Sequence, residues 1–557
     1  MDPGVLLPAE RQTDVLIAGG GIGGCAAAIS VVEAGFKALL AEASDWIGGQ
    51  FTSQAVPPDE HGWIEHFGCT RSYRAFREQV RDYYRKFYPL TPEARDECFL
   101  NPGNGWVSPL CFEPRVAVAV LESTLQPYVN RGALTILREH RPIAVEMKAT
   151  TRLRAITFRS LRNGAEQTIA ANYFLDATEL GDVLPLANAE FVTGSESDLQ
   201  TGEPHGSREM KPANSQAFSV CFAIEHIPHA NHIIERPSRY EFWRSYRPAT
   251  RPAWPGPLLS WRAPNPRTLE AVQYSFDPHG ENGQAFSGLW AYRRILDKKQ
   301  FVAGAYESDI CLVNWPMNDY LLGDLLSVSA DDSGRHIEGA RQLSLSLLYW
   351  LQTEAPRPDG GRGWPGLRLN SGVLGSPDGL AKQPYIRESR RIKAEFTVCE
   401  QHVAATMHPL GNRAEQFTDS VGIGAYRIDL HPTVGGDNYT DVPALPFQIP
   451  LGSMIPARLD NLLPAAKNIG TTHITNGCYR LHPVEWNIGE VAGALSAYCL
   501  ERNVCPRAVY KDSSLRREFQ NKLVKRGVEL EWPDHLSLED GNPHRHAMVR
   551  NKGETRQ

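Results

Sequence analysis

Six residues near the N-terminus, Gly19-Gly20-Gly21-Ile22-Gly23-Gly24, constrain this chain more than any other segment. They place Gly-x-Gly-x-x-Gly at positions 19, 21 and 24. Thr13 to Ala18 is a short apolar run, Cys25 to Glu33 reads as a helix of small residues, and Lys37 to Ala41 is a second apolar run. That order predicts a β-α-β unit. In such a unit the first glycine permits the tight turn, the second lets backbone approach a pyrophosphate, and the third lets helix and strand pack closely. The helix N-terminus then offers unpaired N–H groups and positive dipole to phosphate. Glu42, ending the second strand, can accept hydrogen bonds from ribose hydroxyls and disfavours a 2′-phosphate. FAD or NAD, rather than NADP, is therefore expected. The same glycine pattern recurs at Gly361–Gly366, but no strand precedes it and Pro365 stands where a helix would start, so it reads as a loop.

At 557 residues the chain is long enough for two or three lobes. Its net charge of −6 gives no electrostatic case for nucleic acid or an anionic membrane. No signal core and no long apolar run stands out, so a cytoplasmic protein without a membrane span is expected. Ten scattered cysteines form no Cys-x-x-Cys pair, which argues against a zinc ribbon or dithiol motif. His226, His229 and His232 are interrupted by Pro228 and lack a fourth ligand at motif spacing, so they read as a surface loop and no metal is expected.

Further along, a helix is predicted over 112–129, with strands over 133–137 and 142–147. A hairpin turning at Asn163-Gly164 leads into the strand Tyr173-Phe174-Leu175. Residues 200–450 carry most of the Trp and Pro, with helices predicted over 336–352 and 388–406, the latter opened by Arg387, Arg390 and Arg391. A small-residue helix is predicted from Ile488 to Cys499.

Three segments separate FAD from NAD. Asp45-Trp46-Ile47-Gly48-Gly49-Gln50 follows Glu42. The strand at 173–175 runs into Asp176-Ala177-Thr178-Glu179-Leu180-Gly181-Asp182. Near the C-terminus stand Asn461-Leu462-Leu463-Pro464-Ala465-Ala466-Lys467-Asn468-Ile469-Gly470 and Arg480-Leu481-His482-Pro483-Val484-Glu485-Trp486-Asn487-Ile488-Gly489-Glu490. Together these resemble FAD-dependent oxidoreductases of the glutathione-reductase-like superfamily. More narrowly they resemble the bacterial FAD dependent oxidoreductase group, some of whose members are labelled xanthan lyase. Asn314–Tyr320 and Arg387–Arg391 are similar to that narrower group as well.

The resemblance implies an α/β fold. Its Rossmann-like FAD domain of glutathione-reductase type would be assembled from residues 1–60, 105–195 and 451–510. A mixed α+β substrate lobe would be inserted at 196–450, and 511–557 would form a partly mobile extension. It further implies that Gly19, Gly21, Ile22, Gly23 and Gly24 hold the pyrophosphate, and that Glu42 and Ala43 bind the adenosine ribose. Gly49 and Gln50 would line the ribityl path, and Pro142 or Ile143 would meet adenine. Ala177, Thr178, Gly181 and Asp182 would close over the dinucleotide. Lys467 and Asn468 would precede the second flavin strand, while Asn487, Ile488 and Gly489 would open a helix facing the flavin N1 edge. Glu179 departs from the glycine common after the central strand. No second glycine-rich β-α-β unit is read in 200–450, so a built-in NAD(P)H domain is not expected.

A helix start stabilises the negative charge of reduced flavin, and the protein adds position and proton transfer. His473 and His482 are the candidate general bases, and Arg480 can hold a polar or anionic substrate group or pair with Glu485. Noncovalent FAD is expected, although Cys69 or His66 offers an attachment point. The function read from these residues is oxidation of a small organic molecule by hydride transfer to FAD. Alcohol, sugar, amine and natural-product substrates stay open, as do electron acceptor and oligomeric state. The alternatives are a flavin monooxygenase or a redox-neutral lyase or isomerase that retains FAD.

Overall fold

The computed structural model describes residues 11–279, 288–534, 536 and 538, so the tail after 540 lies outside the described residues. Strand β1 (Arg11–Ala18), helix α1 (Ile22–Glu33) and strand β2 (Ala38–Glu42) form the expected unit, with β1 and β2 parallel. Helix α2 (Arg71–Phe87) and helix α3 (Pro114–Asn130) follow. Then come β3 (Leu134–Arg138), β4 (His140–Ala149), β5 (Arg152–Ser160) and β6 (Glu166–Asp176). β5 and β6 are antiparallel, as the Asn163-Gly164 turn requires.

Beyond them, β7 (Phe222–His226), β8 (Arg294–Leu296), β9 (Ile310–Val313) and β10 (Leu367–Leu369) make a second sheet in the order β8-β9-β7-β10. It packs under helix α4 (Ala330–Thr353), and buried Trp and Leu side chains fill the space between. The chain returns through β11 (Ile428–Leu430), β12 (Leu462–Pro464), α5 (His473–Tyr479) and α6 (His482–Arg502).

The main sheet runs β3-β2-β1-β6-β5-β4, and β12 adds parallel to the C-terminal end of β6 through Leu462, Leu463 and Pro464. At the end where β1, β2, β6 and β12 all terminate, the sheet is therefore wholly parallel. Ligands bind at that carboxyl edge in folds of this kind. Helices α1 and α6 lie side by side on this sheet. Every residue from Ile22 to Val32 is buried, which an all-round apolar helix between two layers requires.

Several expectations need correction. The helix expected over 388–406 is absent: Arg391–Ile392 is a two-residue strand against Phe191–Val192, and only Glu400–Val403 and the 3₁₀ turn Ala405–Met407 are helical. The cause is burial. Arg387, Glu388, Ser389 and Arg391 all point inward, where an extended backbone lets Arg391 reach Gly194 O and Thr471 O. Helix α6 opens at His482, with Pro483 in its first turn, not at Asn487. Lys467 and Asn468 follow the strand β12 instead of preceding it. Pro142 and Ile143 lie within the expected strand, which is longer than expected at His140–Ala149, beside an irregularity in its pairing with β5. His226 is a buried strand residue, not part of a surface loop. Among the described residues no helix is long and apolar enough to cross a membrane.

Candidate active site

The turn from β1 into α1 is built for a close ligand. Gly19 has φ of +97°, in the left-handed region, and its N–H donates to Ala41 O at 2.7 Å. Gly20 N–H donates to Glu42 Oε2 at 2.6 Å, and Ser44 N–H to Glu42 Oε1 at 2.7 Å. Burial pushes the Glu42 carboxyl up to about 7. Helix α1 starts without a side-chain cap, so its first N–H groups are left for another acceptor. A carboxylate of the chain already faces that start. A Cβ built on Gly21 would lie 2.8 Å from Glu179 Oε1, and one on Gly49 would lie 2.7 Å from it. Glu179 Oε1 is buried without a hydrogen-bond partner, while Oε2 pairs with Lys467. The uncapped buried helix start fits the diphosphate of a dinucleotide, with the Glu179 charge beside it offset by Lys467.

The other expected contacts fall around this cradle in different ways. Gly48 N–H donates to Gly20 O at 2.7 Å, which brings Gly49 and Gln50 to the turn. Gln50 Nε2 donates to Arg480 O at 3.2 Å and to Glu485 Oε2 at 3.0 Å, at the start of α6. Lys467 is buried between Glu179 and Glu485. Burial raises the Glu485 carboxyl to about 7. Ala177 N–H donates to Ala18 O at 2.7 Å, and Thr178 Oγ1 donates to Asp176 Oδ1 at 2.7 Å. Asp182 pairs with Arg390 beside Gly181. Asn468 Nδ2 donates to Asp176 O at 3.0 Å, bracing the ends of β6 and β12.

The remaining residues pack behind the cradle or lie apart from it. Asn487 donates to Val421 O at 3.3 Å, and Gly489 packs on Gly23. Ile22 and Ile488 are in the core. Cys69 is buried with Arg74 Nη2 at 3.7 Å, and His66 is exposed against Phe99.

A cavity of about 300 Å³ lies beside the start of α5, and both His473 and His431 line it. Each imidazole is held at Nδ1 by a buried carboxylate. His473 Nδ1 stands 3.0 and 3.1 Å from the two oxygens of Glu388. Glu388 is also paired with Arg391 and accepts from Gln216 N–H at 3.1 Å. These partners outweigh burial and hold Glu388 down at about 2, while the Glu388 charge raises His473. His431 Nδ1 stands 2.6 Å from Asp319 Oδ2, and Arg387 Nη2 is 3.0 Å from Asp319 Oδ1. Here burial is the largest cause and the nearby Arg387 adds to it, so His431 is lowered. One cavity thus holds two histidines whose surroundings push them apart: His473 toward the cation, His431 toward the neutral imidazole.

His482 and Arg480 lie elsewhere. His482 is buried against Phe51, its Nδ1 accepts from Asp59 N–H at 3.1 Å, and burial lowers it well below the usual histidine value. Arg480 does not pair with Glu485. It donates to Tyr385 Oη at 3.2 Å and to Asp429 O at 3.1 Å. His431 was not foreseen from the sequence, and nothing in Asp429-Leu430-His431-Pro432 marks it. Asp319 and Arg387 carry a signal only through the motifs around them. Among the described residues no group of three or more His, Cys, Asp or Glu is gathered to hold a metal.

The profile of the family described as FAD dependent oxidoreductase matches residues 14–523. No curated protein matches the chain. Among solved structures, similar ones include the myxobacterial chondrochloren halogenase CndH (14% identity, 39% of this chain and 44% of that one, TM-score 0.21). Another is the flavin-dependent monooxygenase PieE, crystallised with FAD and substrate (14%, 40% and 36%, TM-score 0.22). A third is the 3-ketosteroid-Δ4-(5α)-dehydrogenase of Rhodococcus jostii RHA1 (16%, 32% and 49%, TM-score 0.20). The chain spans less than half the length of each.

Proposed function

We propose, from the premise that the chain belongs to the FAD dependent oxidoreductase family, that it oxidises a small polar organic molecule with proton transfer handled in the His431–His473 cavity. FAD is the cofactor of this family, and an enzyme is what the chain encodes. The observation that carries the reading is the pair of oppositely poised histidines on one cavity.

In this reading the fold is of glutathione-reductase type, with residues 196–450 as an inserted substrate lobe. Gly19–Gly24 and the α1 start hold the diphosphate, and Glu42 with Ala43 holds the adenosine ribose. Gly49, Gln50, Ala177, Thr178, Gly181, Asp182 and Asn468 line the path between them and the ring. When bound, FAD supplies the hydride acceptor. His431, neutral and oriented through Nδ1 by Asp319, takes the proton from the substrate hydroxyl or amine at its Nε2. His473, held as a cation by Glu388, donates a hydrogen bond to the developing negative charge. Arg387 and Arg391 keep the two carboxylates ionised. Arg480 directly precedes α6 and His482 opens it, behind the turn that carries Gln50.

The test is an absorption spectrum of purified protein, then anaerobic titration with sugars, alcohols, amines and their carboxylated relatives. Bleaching of the flavin bands by one class upholds the reading. Colourless protein that takes up no FAD sinks it.

A further inference from the structure

We propose that Arg293 and Arg480, with the hydroxyl of Tyr385, form a carboxylate-binding subsite, so that the substrate carries a carboxylate group. The proposal rests on the FAD-dependent reading above and names the substrate class of the same site.

A guanidinium has five N–H donors, and a buried one is costly unless they are used. Two arginines of this protein show what full use looks like. Arg77 reaches Glu60 and Glu65 through four hydrogen bonds of 2.6 to 3.3 Å. Arg391 reaches Thr471 O, Gly194 O, Glu196 and Glu388. Arg293 and Arg480 differ. Arg293 meets Asp59 Oδ1 at 3.4 Å, and Arg480 meets Asp429 Oδ2 at the same 3.4 Å. Both contacts are at the outer limit of a hydrogen bond. The Nε atoms of both arginines are buried without a partner among the described residues.

The two side chains share neighbours: Arg293 pairs with Asp59, the Asp59 N–H donates to His482 two positions after Arg480, and Asp59, Tyr385 and Tyr426 act on both guanidinium groups. Arg480 Nη1 donates to Tyr385 Oη at 3.2 Å, which leaves the tyrosine's own proton to donate onward. Asp429, the other anion at Arg480, has a side chain 27% exposed and so offsets the guanidinium weakly. Asp59, paired with Arg293, is thus the buried carboxylate set against these two guanidinium groups, and one further carboxylate balances the set. Planar fork-on-carboxylate pairing is what Arg provides and a point charge does not.

The subsite adjoins the proton-handling cavity. Asp429 and His431 flank Leu430, and Leu430 and His431 line that cavity. Arg387, the partner of Asp319, stands 5.1 Å over the Tyr385 ring. A carboxylate on the arginines therefore places the rest of a small substrate toward His431.

Benzoate and acetate serve as probes, with benzamide as the uncharged analogue of benzoate. Binding is measured by calorimetry on purified holoenzyme of the wild type, Arg293→Lys and Arg480→Lys. FAD content is read from the visible absorption of each sample, and thermal midpoints confirm that the lysine variants fold. The expected result is carboxylate binding by the wild type, none of benzamide, and weakening of about 10- to 100-fold in each variant at unchanged FAD content. Wild-type protein that binds neither carboxylate, or binds benzamide equally, overturns the proposal. So do variants with wild-type affinity, or variants that lose FAD in step with benzoate, which would place the arginines on the cofactor. If the protein takes up no FAD, the cofactor reading fails alone: benzoate binding to it, lost in both variants, still upholds the subsite.

Discussion

Replacing Gly489 by alanine puts the junction between cradle and core to the test. Helices α1 and α6 meet where Gly489 faces Gly23. A Cβ on Gly489 would lie 2.0 Å from Gly23 O and 2.5 Å from Gly23 C and Cα. Ordinary contact begins near 3.4 Å, so the helices must part by more than 1 Å. The obstacles are backbone atoms, which have no rotamer to escape into. Nor does α1 have room to shift, since Gly23 also abuts the residue after β12: a Cβ on Gly23 would lie 1.8 Å from Ala465 O. Overpacking of this kind costs about 1–3 kcal/mol. Spread over the unfolding entropy of a chain this long, that is a fall of about 1–3 °C in Tm. The larger effect falls on the cofactor, because the start of α1 moves with Gly23, and FAD retention drops by at least about tenfold. Thermal unfolding with and without added FAD, together with FAD content, measures both. Gly334→Ala is the control: it is helical, exposed and faces open space, so it should stabilise by about 0.5–1 kcal/mol. A Gly489→Ala protein with wild-type Tm and full FAD content refutes the argument.

Three further outcomes follow from the charged groups. His431→Asn should lower kcat by about 10²- to 10⁴-fold, and because His431 sits below the usual histidine value the wild-type acid limb should lie below pH 6.5. A wild-type limb at or above that value, or an unimpaired variant, removes His431 from catalysis. The His473–Glu388 pair should stabilise most between pH 4.5 and 6.5. Glu388, lowered from 4.5 to about 2, contributes above pH 4.5 and loses its share as pH falls toward 2. His473, raised from 6.5, contributes below that value and loses its share as pH rises through the raised one. Denaturant melts of wild type and His473→Gln across this range should show the gap narrowing at both ends, and a pH-independent gap contradicts the pairing. Glu42, raised from 4.5 to about 7, favours the folded apoprotein below pH 4.5 and loses that stabilisation as pH rises toward 7. Glu42→Gln should abolish this slope and weaken FAD by about tenfold; retention of both the slope and the affinity counts against the ribose contact.

What the sequence made legible is what short-range sterics dictate. The turn at Gly19 needs a left-handed residue, α1 needs small residues on the side facing α6, and a strand must end at Glu42 for its carboxylate to meet Gly20 N–H. These demands act over a few residues and leave a spacing behind. The segment 388–406 shows the opposite case. Alternating Arg and Glu reads as a solvated helix face, yet Arg387, Glu388 and Arg391 are among the most buried groups in the protein. What turns them inward is the company of Asp319, Glu196 and His473, distant in sequence and close only in the fold.

The same distance hid His431. The acid–base role proposed for it depends on Asp319, 112 positions away, and on Arg387 behind that carboxylate. No local pattern carries such a relation, because a histidine beside a proline after a short strand is compatible with any role. His473 was legible for a reason unrelated to its chemistry: it belongs to the segment between β12 and α6 that the cofactor fold fixes. The two histidines reach one cavity from different parts of the chain, His473 on the returning edge of the dinucleotide fold and His431 on the segment that crosses it. A substrate in that cavity is therefore read by both parts at once. Substitutions at Asp319 or Arg387 should then alter the pH dependence of oxidation while leaving FAD bound, because neither residue touches the cradle at Gly19–Gly24.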